Sequence, residues 1–317
     1  MLNMKRLTLA ASAAALALLL AACSQEETKP IETAPAPAPA AEPAPAPAAE
    51  PAAAPAAPAA APAESTPAPA PAEPAPAPSV PASTASLKIG TEGAYPPFNN
   101  LNAEGKLEGF DIDIANALCA EMKVTCEFVT QDWDGIIPAL QANKFDAIIA
   151  SMSITDERKK QVDFTNKYYN TPPAIVVPKD STLADVRPET LAGKSLGVQG
   201  STTHSNYAES AYKTLTIKMY STADEYQLDL TNGRIDAAMD DISVIEGWLA
   251  KEAGACCKLL GAIKPVPEIH GFGAGIAVRK GETDLAKKFN AAIDAIRANG
   301  KYKEINDKYF KFDVYGG

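Results

Sequence analysis

The sequence predicts an α/β protein of two similar lobes, and three observations carry that prediction. Short apolar runs alternate with amphipathic stretches over most of the chain after residue 86, as expected of strand–helix–strand units built on mainly parallel sheets. The string KFDAIIAS at Lys144–Ser151 returns as RIDAAMDD at Arg234–Asp241, an offset of 90. Each copy holds a basic residue, an apolar residue, Asp-Ala and a short buried strand. Each also follows a helix ending in Asn: Asn143 in one, Asn232 with Gly233 in the other. An internal repeat points to two related lobes, although strings of common residues can also match by chance. Finally, Leu87–Gly317 leaves about 231 residues, enough for one large domain or two lobes without a metal staple.

Taken in order, Leu87–Thr91 reads as a strand. Asp111–Met122 reads as a helix with Ile114, Ala115 and Leu118 on one face. Val124–Val129 is a strand, Gly135–Ala142 a helix and Ala147–Ala150 a buried strand. Ser195–Val198 is a strand, with a helix from about Thr202. Leu215–Tyr220 is a strand, Asp224–Thr231 a helix, Ile235–Met239 a strand and Ser243–Ala250 a helix. Two helices, Thr283–Ala298 and Tyr302–Phe310, close the chain.

Composition separates off the first 86 residues. Lys5 and Arg6 precede the apolar run Leu7–Ala22, the pattern of an export signal over residues 1–22. Eighteen of the 27 prolines lie between Pro30 and Pro81 and Ala fills most of the rest, so residues 23–86 lack the aromatic and branched side chains that offset ordering entropy. This stretch is expected to be a disordered Ala/Pro tether. As polyproline II, Pro30–Pro81 reaches at most ~160 Å. With 29 Lys+Arg against 39 Asp+Glu the formal charge is −10. That balance argues against nucleic-acid binding, which needs a basic face. Two histidines, His204 and His270, speak against a multi-histidine metal site; no metal or cofactor is expected.

Export allows disulfides. Cys119, late in a predicted helix, and Cys126, in the next strand, are placed for a local bridge. The adjacent Cys256-Cys257 suit either a vicinal bridge or free thiols.

The candidate binding residues sit where predicted strands end, the edge at which open α/β sheets hold ligands. Glu92 and Tyr95 leave the first strand, and Trp133 follows Val124–Val129. Two rings flanking a slot hold a planar cation, although both also suit a core. In Ser151-Met152-Ser153 through Arg158, the guanidinium fork matches a carboxylate and Ser153 adds a hydroxyl; a solvated charge run is the alternative. Gln199–Thr203 joins strand to helix, so Thr202 serves as an N-cap or helps hold an anion on backbone N–H groups. The repeat puts Ser151 and Asp241 at equivalent strand ends, and lobes that face each other would bring both to one cleft. Together Arg158, Ser153 and Thr202 would hold a carboxylate, Asp241 and Ser151 an ammonium, and Glu92, Tyr95 and Trp133 a distal cation. That describes a basic α-amino acid.

Several strings carry a resemblance. They are Ile89-Gly90-Thr91-Glu92, Tyr95-Pro96-Pro97-Phe98, Gly109-Phe110-Asp111-Ile112-Asp113, Ser153-Ile154-Thr155, Asn232-Gly233-Arg234-Ile235-Asp236-Ala237 and Asp313-Val314-Tyr315-Gly316-Gly317. With them residues 87–317 resemble the periplasmic receptors for arginine, lysine, ornithine and histidine, the polar amino-acid family of ABC-importer binding proteins. The loop Val198–His204 looks most like the arginine receptors. The resemblance implies a type II two-lobed periplasmic-binding-protein fold with a hinge of two crossovers. Lobe one would be 87–170 plus 271–317 and lobe two 171–270. It implies a ligand sandwiched by Tyr95 and Trp133, clamped by Arg158 and Asp241 and met by Glu92. It also implies a Cys119–Cys126 disulfide, cleft closure, and delivery by a monomer to an inner-membrane permease. Ala150 stands where some relatives have Ser. Leu20-Ala21-Ala22-Cys23 looks like a lipobox, so Cys23 would be lipidated and the protein held to a membrane in the periplasm; Ser24 points to the outer membrane. The same fold includes a cyclohexadienyl dehydratase, so an enzyme is one alternative. Because Glu92 and Asp241 suit a cationic ligand better than catalysis, no enzymatic activity is expected. A sensing or adhesive lipoprotein is another alternative.

Overall fold

The computed structural model describes residues 85–316; the export signal, Cys23 and the Ala/Pro tether lie outside them. Two five-stranded sheets organise the chain, one in each lobe. The first half begins with strand β1 (Ser86–Thr91), a small antiparallel sheet of β2 (Ala94–Tyr95), β3 (Asn99–Leu101) and β4 (Leu107–Glu108), and helix α1 (Phe110–Glu121). It continues with β5 (Thr125–Thr130), a 3-10 turn at Trp133–Gly135, α2 (Ile136–Gln141), β6 (Ala147–Ile148), α3 (Asp156–Lys159) and β7 (Val162–Tyr169). The second half holds β8 (Pro173–Pro178), β9 (Ser195–Gln199), α4 (Thr203–Ala211), β10 (Thr216–Tyr220), α5 (Ala223–Thr231), β11 (Ala237–Asp241) and α6 (Ile242–Leu249). Strand β12 (Cys257–Ala262) and the short α7 (Pro267–His270) lead back to β13 (Ala274–Arg279), α8 (Thr283–Ala298) and α9 (Lys301–Tyr309). The chain passes between the sheets twice, at Asn170–Pro172 and at Ile263–Gly273.

The sheets run β5-β1-β6-β13-β7 and β10-β9-β11-β8-β12. The repeated octapeptide thus supplies the central strand of each. Its physical content is the same in both copies. Asp146 Oδ2 accepts the backbone N–H of Lys88 at 2.9 Å, and Asp236 Oδ2 that of Ser195 at 2.8 Å. Each carboxylate therefore pins its strand to the neighbouring parallel one, with Ile89 opposite Ala147 and Leu196 opposite Ala237. Beside each pairing stands a glycine that the repeat's apolar residue covers. A Cβ on Gly90 would lie 2.5 Å from the Phe145 ring, and one on Gly197 would lie 2.6 Å from Ile235 Cδ1. Asn143 and Gly233, both at positive φ, turn the chain from helix to strand.

Mainly parallel sheets, the expectation from sequence, are corrected here. Each sheet has two parallel and two antiparallel pairings. Strands β7, β8, β12 and β13 flank the two crossovers, and chain returning from the other lobe enters the sheet in the opposite sense. These four were not read as strands; β8 is bounded by Pro173 and Pro178 and β13 follows Gly273, residues that read as breaks.

One cluster of buried side chains spans both lobes through the crossover, from Phe98, Phe110 and Tyr169 across Ala174 to Tyr226 and Trp248. Strand β8 is buried on both faces: Ala174 and Val176 join that cluster, while Ile175 and Val177 join a second with Leu196 and Met239. The disulfide Cys119–Cys126 ties the end of α1 to β5, and Cys256 and Cys257 are free thiols.

Candidate functional site

The parallel strands of each sheet point their C-terminal ends at the space between the lobes, and the side chains that follow them build the site. From the first lobe come Glu92 and Tyr95 after β1, Trp133 after β5, Ala150, Ser151 and Ser153 after β6, and Arg158 on α3. From the second come Gln199, Thr202, Thr203 and His204 where β9 meets α4. Together they line one cavity. A second, adjoining space shares Tyr95, Ser151, Ser153, Thr203 and His204 with it, and adds Asp241 at the end of β11 and His270 in the second crossover.

Local chemistry holds each group in place. Thr155 caps α3 by accepting the Arg158 N–H at 3.2 Å, which sets the helix that carries the guanidinium. Arg158 then donates from Nη1 to Ser153 O (3.1 Å) and from Nη2 to Ser201 O (3.3 Å), and lies 5.1 Å from the Trp133 ring centre. Among the described residues no carboxylate pairs with it, and burial lowers its pKa to about 10. Glu92 Oε1 accepts from Gln199 Nε2 at 2.6 Å across the lobes. Asp241 caps α6 by accepting the Ser243 N–H at 2.7 Å, and also accepts from Thr171 Oγ1. Neither carboxylate has a cationic partner among the described residues. Burial raises both pKa values to about 7, opposed by these hydrogen bonds and reinforced by Asp240.

Ser151 sits at φ 55 and donates its hydroxyl to Asp111 Oδ2 at 3.0 Å. Asp111 is fully buried and also accepts from Asn99 (2.8 Å) and Tyr168 (2.8 Å); desolvation raises its pKa to about 6. With its proton directed away, the Ser151 oxygen offers lone pairs, so it suits an N–H donor such as an ammonium.

The structure brings Glu92, Tyr95, Trp133, Ser151, Ser153, Arg158 and Thr202 to one cavity, with Asp241 in the adjoining space. The hydroxyl of Thr202 donates to Gln199 O and accepts the Ser205 N–H, so it is engaged as a helix cap. Met152 stands apart from them. It alternates with Ser151 and Ser153, so its side chain turns into the first lobe's core beside Ile136, Leu140 and Phe145 and takes no part in the cavity wall. Sequence reasoning missed Gln199, His204, Asp240 and Asp111. Asp240 accepts from the hydroxyls of Tyr95 and Tyr226 and lies 3.5 Å from His204 Nε2. The signal for it was the doubled Asp at the end of the second repeat. Gln199 and His204 flank the helix start already singled out.

Known proteins share this architecture. The L-arginine-binding protein of Pseudomonas aeruginosa is 50% identical over 233 residues, which cover 73% of this chain and 90% of that one. A Salmonella typhimurium periplasmic binding protein, solved to explain its high arginine specificity, is 34% identical with a TM-score of 0.67. The match covers 72% of this chain and all of that one. An ancestral amino acid-binding protein, a precursor of cyclohexadienyl dehydratase, is 33% identical with a TM-score of 0.64, covering 71% and 96%. The two-lobed fold is that of the type II periplasmic binding proteins. Residues 87–312 match the bacterial extracellular solute-binding proteins, family 3, and the chain belongs to that family.

Proposed function

We propose that this protein is a periplasmic receptor for a cationic L-amino acid, arginine first and then lysine, ornithine or histidine. One observation carries the reading: the half-buried Arg158 guanidinium, without a carboxylate partner, shares a cavity with the half-buried Glu92, and the adjoining space holds the buried Asp241, neither carboxylate having a cationic partner among the described residues. Unpaired buried charges are costly, and a zwitterion with a positive side chain supplies all three partners at once. Arg158 and Ser153, with the N-terminus of α4 at Thr202, take the carboxylate. Asp241 and the Ser151 oxygen take the ammonium. Glu92 meets the distal charge, with Tyr95 and Trp133 on either side of it. The arginine-binding relative supports the choice of ligand.

Closure moves 87–170 plus 271–317 against 171–270 about the two crossovers. The closed monomer then delivers its ligand to an inner-membrane ABC permease. Lipidation of Cys23 anchors the protein, with Ser24 directing it to the outer membrane, and the Ala/Pro tether spans the gap to the permease.

The test is a thermal-shift screen of the full chain against the twenty amino acids, ornithine and prephenate. A ligand at 100 times its Kd adds ~2.7 kcal/mol. A raised midpoint with arginine, lysine or ornithine is the expected outcome. Shifts only with acidic or uncharged ligands would reject the cationic assignment. Turnover of prephenate would move the protein to the enzymatic side, which the dehydratase-precursor relative makes worth measuring.

A further inference from the structure

We propose that Asp240, His204 and His270 form a buried hydrogen-bonded relay that ties the floor of the ligand cavity to the second crossover, with His270 positioning His204. His204 lies in the first turn of α4 and lines both spaces between the lobes; His270 ends α7, immediately before the crossover chain reaches β13. Their ring centres are 6.3 Å apart with planes inclined by 50°.

A hydrogen bond fixes the proton of His270, and a neighbouring carboxylate orients that of His204. The Val266 N–H donates to His270 Nδ1 at 3.0 Å. The neutral ring therefore carries its proton on Nε2, and that atom is buried with no acceptor among the described residues. His204 turns Nε2 toward Asp240 Oδ1 at 3.5 Å. A proton there faces the carboxylate and leaves Nδ1 as a bare acceptor, and Nδ1 is buried with no donor among the described residues. One ring thus ends in an unmet donor and its neighbour in an unmet acceptor. Buried polar atoms of this kind are rare, and these two are complementary. An N–H···N link places ring centres about 5 Å apart, so an approach of about 1 Å joins them. The relay then runs from Asp240 through His204 and His270 to the backbone of Val266.

Its surroundings favour the neutral rings that the relay requires. His204 faces Asp240 from β11 and Arg158 from α3, while Asp241 and Tyr95 share the space that it lines. His270 packs on the Tyr207 ring at 4.7 Å and shares its space with Asp241 and Tyr169. Burial lowers the pKa of both, that of His270 to about 4. Asp240 itself is held by the hydroxyls of Tyr95 and Tyr226 and by the Asp241 N–H. Movement of α7 as the lobes rotate would thereby reach the carboxylate that holds Tyr95. The relay is a property of the protein itself and does not depend on which ligand the cleft takes.

The chain has only two histidines, so the full chain labelled with 15N-histidine gives two imidazole spin systems, assigned by His204→Gln. At neutral pH both rings are expected as the Nε2–H tautomer, with a through-bond N–N coupling between them. An Nδ1–H tautomer in either ring overturns the relay. Two variants provide a second readout. His270→Gln keeps an N–H donor and an acceptor for Val266, and the titration midpoint of His204 should stay in place. His270→Phe keeps the bulk without the donor, and the midpoint should shift upward. Equal midpoints in the two variants also overturn it, and if the Phe variant does not fold, the tautomers of the native protein decide alone.

Discussion

At the scale of single residues the site is a set of misplaced protons. Glu92 and Asp241 are held near pKa 7 by burial, against ordinary values of 4.5 and 3.8. A cationic ligand favours their ionised forms, so binding at pH 7 should release protons, and affinity should rise with pH up to about 7 and then level off. Calorimetry in buffers of different ionisation heat checks this; a binding heat independent of buffer would refute it. In the ligand-free fold the same raised values stabilise at low pH, and that contribution is lost as pH rises through about 7. His270 works in the opposite direction: lowered from 6.5 to about 4, its contribution is present above 6.5 and lost as pH falls through that window. Glu92→Gln should weaken arginine binding at least tenfold, since truncating one partner of a buried charge pair costs about 2–5 kcal/mol. A calorimetric Kd unchanged by that substitution would remove Glu92 from the site. Glu92 and Asp241 were legible as charged residues at predicted strand ends, and Arg158 as the guanidinium of the charged string that follows one. Gln199 and Asp240 were not, because their partners Glu92 and Tyr95 lie 107 and 145 residues away, and no local pattern encodes that distance.

At the scale of elements, the repeat shows why two strands need glycine. Gly90→Ala drives a methyl into the Phe145 ring, and Gly197→Ala drives one into Ile235. Each should cost about 1–3 kcal/mol as overpacking, measured by urea unfolding. The Gly197 variant should suffer less, because Ile235 Cδ1 is the end of a flexible chain. Equal stability of both variants with the native protein would discount the close approach. Removing the Cys119–Cys126 bridge, which closes a loop of sequence separation 7, should cost about 2 kcal/mol. The longer helices and the parallel strands of the two repeats were legible to within a residue or two, as Thr283–Ala298 illustrates: its buried Ala286, Phe289, Ile293 and Ile296 form a helical stripe. The four-residue α3 and α7 were not, being too short to show a period. The antiparallel strands were not. Pro173 and Pro178 bound β8, and Gly273 precedes β13; both residue types announce a break to local reasoning, whereas here the chain is held by pairing partners far away in sequence.

At the scale of the whole molecule, the lobes share a buried apolar cluster at the crossovers and meet across the cleft through polar contacts: Tyr95 to Asp240, Gln199 to Glu92, and Trp133 Nε1 and Arg158 to the carbonyl of Ser201. Hydrogen bonds to charged groups contribute about 1.5–3 kcal/mol, so Tyr95→Phe should shift the ligand-free ensemble toward open forms roughly tenfold or more. Small-angle scattering should then show a larger radius of gyration that contracts again with ligand, and identical ligand-free curves for the two proteins would exclude this role. The chain has two tryptophans, and they sit in unlike places. Trp248 is buried in α6, whereas Trp133 stands in the cleft with its indole N–H on the opposite lobe and a guanidinium over its ring. Evolution has thereby left the protein with its own optical gauge: in a Trp248→Phe background the emission of a single native fluorophore follows the opening and filling of the cleft, without any dye.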